Sequence, residues 1–444
     1  MPRDANSRLA GLYPRPTVLQ LLERGCVALV LVGCNGEEAA GGGSLGTTSS
    51  EGGSDSTGVL ESGTETTSST EGAGSTGELG STTGELGSTT GETGSTTGDS
   101  EGSGVMFRGL GDLPGGEYFS EAADVSGDGM VIVGYSVSGA PSPGVEVATE
   151  AVRWIDADPV PLSDIDGALF SEPQAVSGDG LVAVGYAQTM EGSVSCRWTK
   201  GRGAVALDGF PEGTTDSRAY AASADGSVIV GEYSVAGGTE AFRWEGGTVE
   251  PLGHLFGALQ QSTAHGVSAD GAVVVGASAG EAFRWEEGEM MGLGHLPSCA
   301  VPSSQAMAVS ADGAVVVGTS CHGDGLNEHE AFRWQDGRML GLGDLEGGSF
   351  VSQALDVSAD GSVVIGAGRA AEGNRAFVWT QSIGMTDLKS MLETEVDLDG
   401  WTLEFGRGIS SDGSVIVGSN NGYAGQGNPD GQTEGWQVSG LQYR

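Results

Sequence analysis

Seven near-copies of one nonapeptide, a tryptophan after each copy and an apolar triplet inside each copy predict an all-β fold. The expected form is a seven-bladed β-propeller, four short antiparallel strands per blade, closed by the N-terminal strand. The copies are SGDGMVIVG (126–134), SGDGLVAVG (177–185), SADGSVIVG (223–231), SADGAVVVG (268–276 and 310–318), SADGSVVIG (358–366) and SSDGSVIVG (410–418). They recur every 42–52 residues, and a propeller blade takes about 40–50. Trp154, Trp198, Trp244, Trp285, Trp334, Trp379 and Trp436 follow them in turn.

Each repeat reads as four strands. The first ends at the nonapeptide Ser, as in Ser304–Ser310. Asp-Gly then turns the chain, because Gly accepts positive φ and Asp bonds nearby amides. The second strand is the apolar triplet. Val131-Ile132-Val133 and Val273-Val274-Val275 have no polar face. Both of their faces must be covered, which radially packed sheets do and a sandwich with one wet face does not. The third strand is Ala-Phe-Arg-Trp, at 241–244, 282–285 and 331–334. The fourth follows a turn such as Asp336-Gly337 and ends in Leu-Gly-Asp-Leu (342–345) or Leu-Gly-His-Leu (252–255, 293–296). A copy of this last element, Met106–Leu113, stands ahead of the first repeat and is expected to pair with the strand carrying Trp436. One helix is predicted behind Asp387 as cap, with Leu388, Met391, Leu392 and Val396 at helical spacing. Arg153, Arg197, Arg243, Arg284 and Arg333 precede the third-strand Trp. Each is expected to bond an Asp-Gly carboxylate of its own or the adjacent blade, as Arg243 with Asp225.

Ahead of the repeats the composition changes twice. In residues 1–34, Arg3, Arg8, Arg15 and Arg24 precede the apolar run Cys26–Val32, the order of an export signal peptide. Residues 35–104 are almost wholly Gly, Ser, Thr, Glu and Ala, with the unit GSTTGEL repeating. They hold too little apolar surface to offset ordering entropy, so a disordered tether with a reach of roughly 45 Å is predicted. Residues 105–444 are the repeat domain. The chain carries 19 Lys+Arg against 60 Asp+Glu, a formal charge of −41. Residues 1–34 hold four bases and two acids, and 35–104 hold twelve acids and no base, which leaves 46 acids against 15 bases in the repeat domain. Such a field repels phosphate backbones and excludes nucleic acid as a partner. No run of about 18 apolar residues exists, so no transmembrane helix is predicted.

No nucleophile elbow, Walker loop or Cys-x-x-Cys is present, and no cofactor or metal is expected. One Asp per turn is too few oxygens for a calcium loop, so the Asp-Gly pairs read as structural turns. His322 and His329 form the only spaced histidine pair, in one loop. Cys196 occupies the slot held by Phe242, Phe283 and Phe332, which predicts a buried thiol. Cys299 and Cys321 lie in two loops that share one propeller face, and an exported protein meets oxidising conditions, so a Cys299–Cys321 disulfide is expected.

Two segments resemble known families. Leu31-Val32-Gly33-Cys34 resembles a bacterial lipobox, which implies lipidation at Cys34. The unit Ser-Ala-Asp-Gly-x-Val-Val-Val-Gly … Ala-Phe-Arg-Trp … Leu-Gly-x-Leu resembles the bacterial extracellular repeats called HAF repeats, over 106–438. Glu stands here where the family name has His. The resemblance implies an exported, propeller-like protein and supplies no catalytic residues.

The resulting expectation is a monomeric, lipid-anchored surface module at the bacterial outer membrane or cell surface, touching the membrane only through its lipid. A periplasmic or secreted protein is the alternative. Function is expected on the face of the variable loops, among them 136–149, 319–329 and 419–433, the last with Asn420, Asn421, Tyr423 and Asn428. First-strand positions vary three and five residues before the nonapeptide Ser, while their neighbours are uniform. From these positions Glu121, Glu172, Arg218, Tyr220, His265 and Arg407 are the candidate ligand-binding residues, and a glycan or other cell-surface polymer is the candidate partner. The alternative function is a carbohydrate-active hydrolase with acidic residues at the channel mouth.

Overall fold

The computed structural model describes residues 104–443 apart from 139–147, 157, 257–259, 298, 300, 324–327, 399 and 421–427. The expected signal, Cys34 and residues 35–103 of the expected tether lie outside the described residues. The fold is all-β, built of antiparallel four-stranded sets. The first sheet is β2 (Gly115–Val125), β3 (Val131–Ser138), β4 (Ala148–Ile155) and β5 (Asp158–Pro161), paired in that order. The next is β6 (Phe170–Val176), β7 (Val182–Gln188), β8 (Ser193–Thr199) and β9 (Ala204–Ala206). Then come β10 (Asp216–Ala222) to β13 (Thr248–Pro251) through β11 (Val228–Val235) and β12 (Gly238–Glu245). The sheet after it is β14 (Ser262–Val267), β15 (Val273–Ser278), β16 (Glu281–Glu286) and β17 (Glu289–Gly294).

An eight-stranded sheet follows. It contains β18 (Ser304–Val309), β19 (Val316–Cys321), β20 (His329–Gln335) and β21 (Arg338–Gly341), then β22 (Gly347–Val357), β23 (Val363–Ala370), β24 (Gly373–Thr380) and β25 (Gly384–Asp387). Its two antiparallel sets are joined at one parallel residue pair, His329 with Val351. The last sheet holds β26 (Phe405–Ile409), β27 (Ile416–Ser419) and β28 (Trp436–Ser439), with β1 (Met106–Gly109) as its fourth strand. β1 pairs antiparallel with β28 from Met106–Ser439 to Gly109–Trp436, the pairing that the strand count predicts. Helix α1 (Leu388–Leu392) packs Leu388 and Leu392 inward, and the Asp387 carboxylate accepts the amides of Lys389 and Ser390.

The sheets pack face to face along the chain. Alternate residues of the apolar triplets serve opposite neighbours: Ile229 joins Val184, Phe242 and Trp244 in one core, while Val228 and Val230 join Val274, Phe283 and Trp285 in the next. This is why the triplets carry no polar face. The first strands contact one another in the order β2, β6, β10, β14, β18, β22, β26, and β26 contacts β2.

The nonapeptide explains itself residue by residue. In Ser268-Ala-Asp270-Gly271, the Ser hydroxyl donates to Asp270 Oδ1 at 2.7 Å, and the same oxygen accepts the Ala272 amide at 3.0 Å. Ser268 Oγ accepts the Val273 amide at 2.9 Å. Gly271 has φ +73°, the left-handed region that favours glycine. Backbone hydrogen bonds link these turns from sheet to sheet. Ala224 N donates to Ala269 O (3.0 Å), Ala269 N to Ala311 O (3.1 Å), Ala311 N to Ala359 O (3.0 Å) and Ala359 N to Ser411 O (3.0 Å). Ser411 N then donates to Gly127 O, Gly127 N to Gly178 O and Asp179 N to Ala224 O, each at 2.9 Å, which completes the cycle.

The expected Arg–Asp pairs are not formed. The Asp carboxylates are occupied inside their own turns, so the arginines reach one sheet further to the turn Gly carbonyl. Arg243 Nε donates to Gly271 O (3.0 Å), Arg284 Nε to Gly313 O (3.2 Å) and Arg333 Nε to Gly361 O (3.1 Å). Arg153 reaches Gly180 O through Nη2 at 2.6 Å, and Arg197 stacks over Trp244 at 4.9 Å.

Candidate functional site

Every first strand carries a register shift at one equivalent place. The residues passed over are Ala123, Gln174, Tyr220, His265, Met307, Leu355 and Arg407. Each is the residue three before the nonapeptide Ser, and a bulge re-aims the side chain that it inserts. All seven line one cavity of about 190 Å³. The final nonapeptide Gly permits this geometry. A Cβ on Gly231, Gly276, Gly318 or Gly366 would overlap the carbonyl oxygen of the first-strand residue two before the bulge.

Of the candidate ligand-binding residues, Tyr220, His265 and Arg407 line this cavity, whereas Glu121, Glu172 and Arg218, two before the bulge, are not among its lining and are engaged with the second strand. Glu121 accepts the Tyr135 hydroxyl at 2.7 Å, and Glu172, 9% exposed, accepts that of Tyr186. Arg218 Nη1 lies 3.6 Å from Glu232 Oε1 and its guanidinium stacks over Tyr186 at 5.3 Å. Tyr220 donates to Glu232 Oε1 at 2.9 Å, and Thr263 donates to Glu232 Oε2 at 2.8 Å. His265 Nδ1 sits 3.0 Å from the Ala306 carbonyl and so carries its proton there, which leaves Nε2 to accept from Gln305 Nε2 at 3.2 Å. Burial lowers the His265 pKa and keeps the ring neutral. Arg407 Nε donates to Ser419 Oγ at 3.1 Å and lies over Phe405 at 4.8 Å.

On successive first strands the charges therefore read Arg407, Glu121, Glu172, Arg218. Burial raises the pKa of both glutamates, while Arg407 and Tyr135 oppose this at Glu121, and Tyr186 and Arg218 oppose it at Glu172. Sequence reasoning missed Tyr135, Tyr186 and Glu232. Their signal is the position directly after the nonapeptide Gly, which in a hairpin of this register faces the residue two before the bulge.

Asp124 and Asp356, also missed, line the same cavity. Asp124 accepts the Val125 amide at 2.7 Å and, across the sheet boundary, the Val176 amide at 2.8 Å. Asp356 accepts the Val357 amide at 2.8 Å and the Ile409 amide at 2.9 Å. Each ties its own first strand to the next one. Burial raises Asp124 from 3.8 to about 7. Burial and the Asp124 charge raise Asp356 to about 8. A carboxyl raised above its unfolded value binds more protons when folded, so its stabilising contribution is full below about pH 4 and is lost as pH rises through 7–8. The melting temperature is expected to fall between pH 5 and 8.5, and Asp356→Asn is expected to flatten that slope. Calorimetry across the range checks it; an equal slope in the variant contradicts it.

The other expected positions fall elsewhere. Cys299 and Cys321 are joined as a disulfide, Cα–Cα 5.4 Å, and Cys196 is a buried free thiol whose pKa burial pushes up. The single metal-capable triad among the described residues, His295 with these two cysteines, has both sulfurs committed to that bond. Residues 139–147, 324–327 and 421–427, with Asn421 and Tyr423, lie outside the described residues. Asn420 and Asn428 are buried rather than presented. Asn420 Oδ1 accepts the Glu404 amide at 3.2 Å, and Asn428 Nδ2 donates to Glu434 at 2.7 Å.

No family model and no curated protein sequence matches the chain. Among solved structures it is similar to TolB from Acinetobacter baumannii, at 13% identity over 70% of this chain and 81% of that one, TM-score 0.38. It is also similar to an oligogalacturonate lyase in complex with manganese, at 13% identity over 77% and 95%, TM-score 0.46. A third is the oligogalacturonate lyase from Vibrio parahaemolyticus, at 10% identity over 78% and 96%, TM-score 0.47.

Proposed function

We propose that residues 105–444 form a seven-bladed propeller whose axial mouth binds a polar polymer, a glycan foremost, and that a lipid at Cys34 and the tether display it outside the cell. The blade count rests on the closed cycle of turn hydrogen bonds and on the single residue pair that joins the two halves of the eight-stranded sheet. Export rests on the amino-terminal sequence and the likeness to HAF repeats.

The binding reading is carried by one observation, the bulge that brings Tyr220, His265 and Arg407 to a single cavity, with the charged row Arg407, Glu121, Glu172, Arg218 on successive first strands. Carboxylates accept hydroxyls, guanidinium forks donate to hydroxyl and carboxylate oxygens, and aromatic faces stack on apolar ring surfaces. The second reading, a carbohydrate-active hydrolase, is favoured by the two high-pKa carboxyls Asp124 and Asp356 on the cavity wall. In that reading the backbone amides on these carboxyls hold the acids in place.

An array of glycans and cell-wall polymers probed with the chain separates the two. Binding without product release supports the module, and product release that Asp356→Asn abolishes supports the enzyme. For a bound glycan, Tyr220→Ala and Arg407→Ala are each expected to cost about 1 kcal/mol or more. Full affinity in both, with loss on altering the Asp-Gly turns, overturns the axial site.

A further inference from the structure

A cavity of about 340 Å³ opens between the β2–β5 and β6–β9 sheets, beside the Asp-Gly turn at Gly180. It shares only Val176 with the lining of the axial cavity, and its volume suits a small organic molecule. Its walls include Val133, Val160, Leu162 and Trp198, and none of its lining residues is acidic. Three lining residues are cations: Arg153, Lys200 and Arg202. That clustering is notable in a repeat domain with 46 acids against 15 bases, because it makes a local positive field inside a negative one.

Departures from the repeat create the site. Elsewhere the turn between third and fourth strands is as short as Gly246-Gly247; here Lys200–Gly203 intervene between β8 and β9 and bring two cations to the rim. The third cation differs from its equivalents. Arg243 Nη1 pairs with Glu245 at 2.8 Å, Arg284 Nη1 with Glu286 at 2.7 Å, and Arg333 Nη1 donates to Gln335 at 2.9 Å. In the first sheet that position is Ile155, and Arg153 keeps only the Gly180 carbonyl, leaving its buried Nε without an acceptor. Among the described residues, none of the three cations is ion-paired. The three cations therefore lack a counter-charge, which a bound anion would supply.

We propose that this cleft is a binding site for a small organic anion with a flat apolar body, an aromatic carboxylate in chemical class. The carboxylate meets Arg153, Lys200 and Arg202, and the body lies against Ile155 and Val160, the exposed apolar side chains of the lining, with Trp198 buried behind them in the cleft wall. The site is independent of the axial mouth.

The test titrates the full chain with 2-naphthoate and with its neutral isostere 2-naphthamide, by calorimetry and by the indole N–H resonance of Trp198, assigned through Trp198→Phe. The acid is expected to shift that resonance and to bind at least tenfold more tightly than the amide, with affinity falling as salt is added. Lys200→Glu with Arg202→Glu, both on an exposed turn, is expected to lower the affinity at least tenfold with an unchanged thermal transition. Tyr220→Ala, at the axial mouth, is expected to leave it unchanged, which separates this site from the axial one. Equal binding of acid and amide, no binding of either at millimolar concentration, or full affinity in the double variant overturns the proposal.

Discussion

Removal of every residue before 116 is expected to abolish cooperative unfolding of the repeat domain. The strand lost is β1, the fourth strand of a sheet whose other three come from the opposite end of the chain. With it go Phe107, Leu110 and Leu113, all buried, Leu110 to 1% exposure. Phe107 meets the Trp401 ring edge-on at 4.9 Å, Leu110 N donates to Gly435 O at 2.9 Å, and Arg108 donates to Gln437 at 2.7 Å. Burying one such apolar side chain is worth about 1.5–3 kcal/mol. Three of them plus an unpaired β28 edge approach the whole stability of an ordinary domain, about 5–15 kcal/mol. Circular dichroism melts of the shortened and complete chains decide the matter; an unchanged, single sharp transition contradicts the closure.

Gly276→Ala is expected to cost about 3 kcal/mol or more, an unusual penalty for one added methyl group. The new Cβ would overlap the Thr263 carbonyl oxygen and stand 2.9 Å from the Ala264 Cα. Both obstacles are backbone of the paired strand β14, so no side-chain rotation relieves them. The strand must separate or lose its bulge, and the bulge holds His265 at the cavity wall. Urea unfolding gives the magnitude, and the His265 ring resonances report the bulge. A urea midpoint equal to that of the unchanged chain rules the account out.

Much of the fold was legible in the sequence because its hydrogen bonds are local. Ser268, Asp270 and Gly271 satisfy each other and the next two amides within six residues, so the turn repeats wherever those letters repeat. The apolar triplets announced cover on both faces, and Val228, Ile229 and Val230 divide between two neighbouring cores as that pattern requires. The position three before the nonapeptide Ser stood out by variation alone. What the sequence did not reveal is why that position matters, since a bulge exists only in the register between two strands.

The same limit separates the remaining features. Length, repeat number, turn chemistry and the acidic balance were determined by the sequence, because each depends on residues close in the chain or on composition; the pairing of β1 with β28 followed from counting strands over the whole repeat. The pairing of Tyr135, Tyr186 and Glu232 with the first strands was decided only by tertiary structure. So were the meeting of Asp124 with Val176 and of Asp356 with Ile409 across sheet boundaries, and the arginine contacts with turn carbonyls in place of carboxylates. The cleft that gathers Arg153, Lys200 and Arg202 belongs with them. Each joins groups twelve or more residues apart whose chemistry is ordinary alone, and packing within and between the sheets, not any local pattern, brings them together.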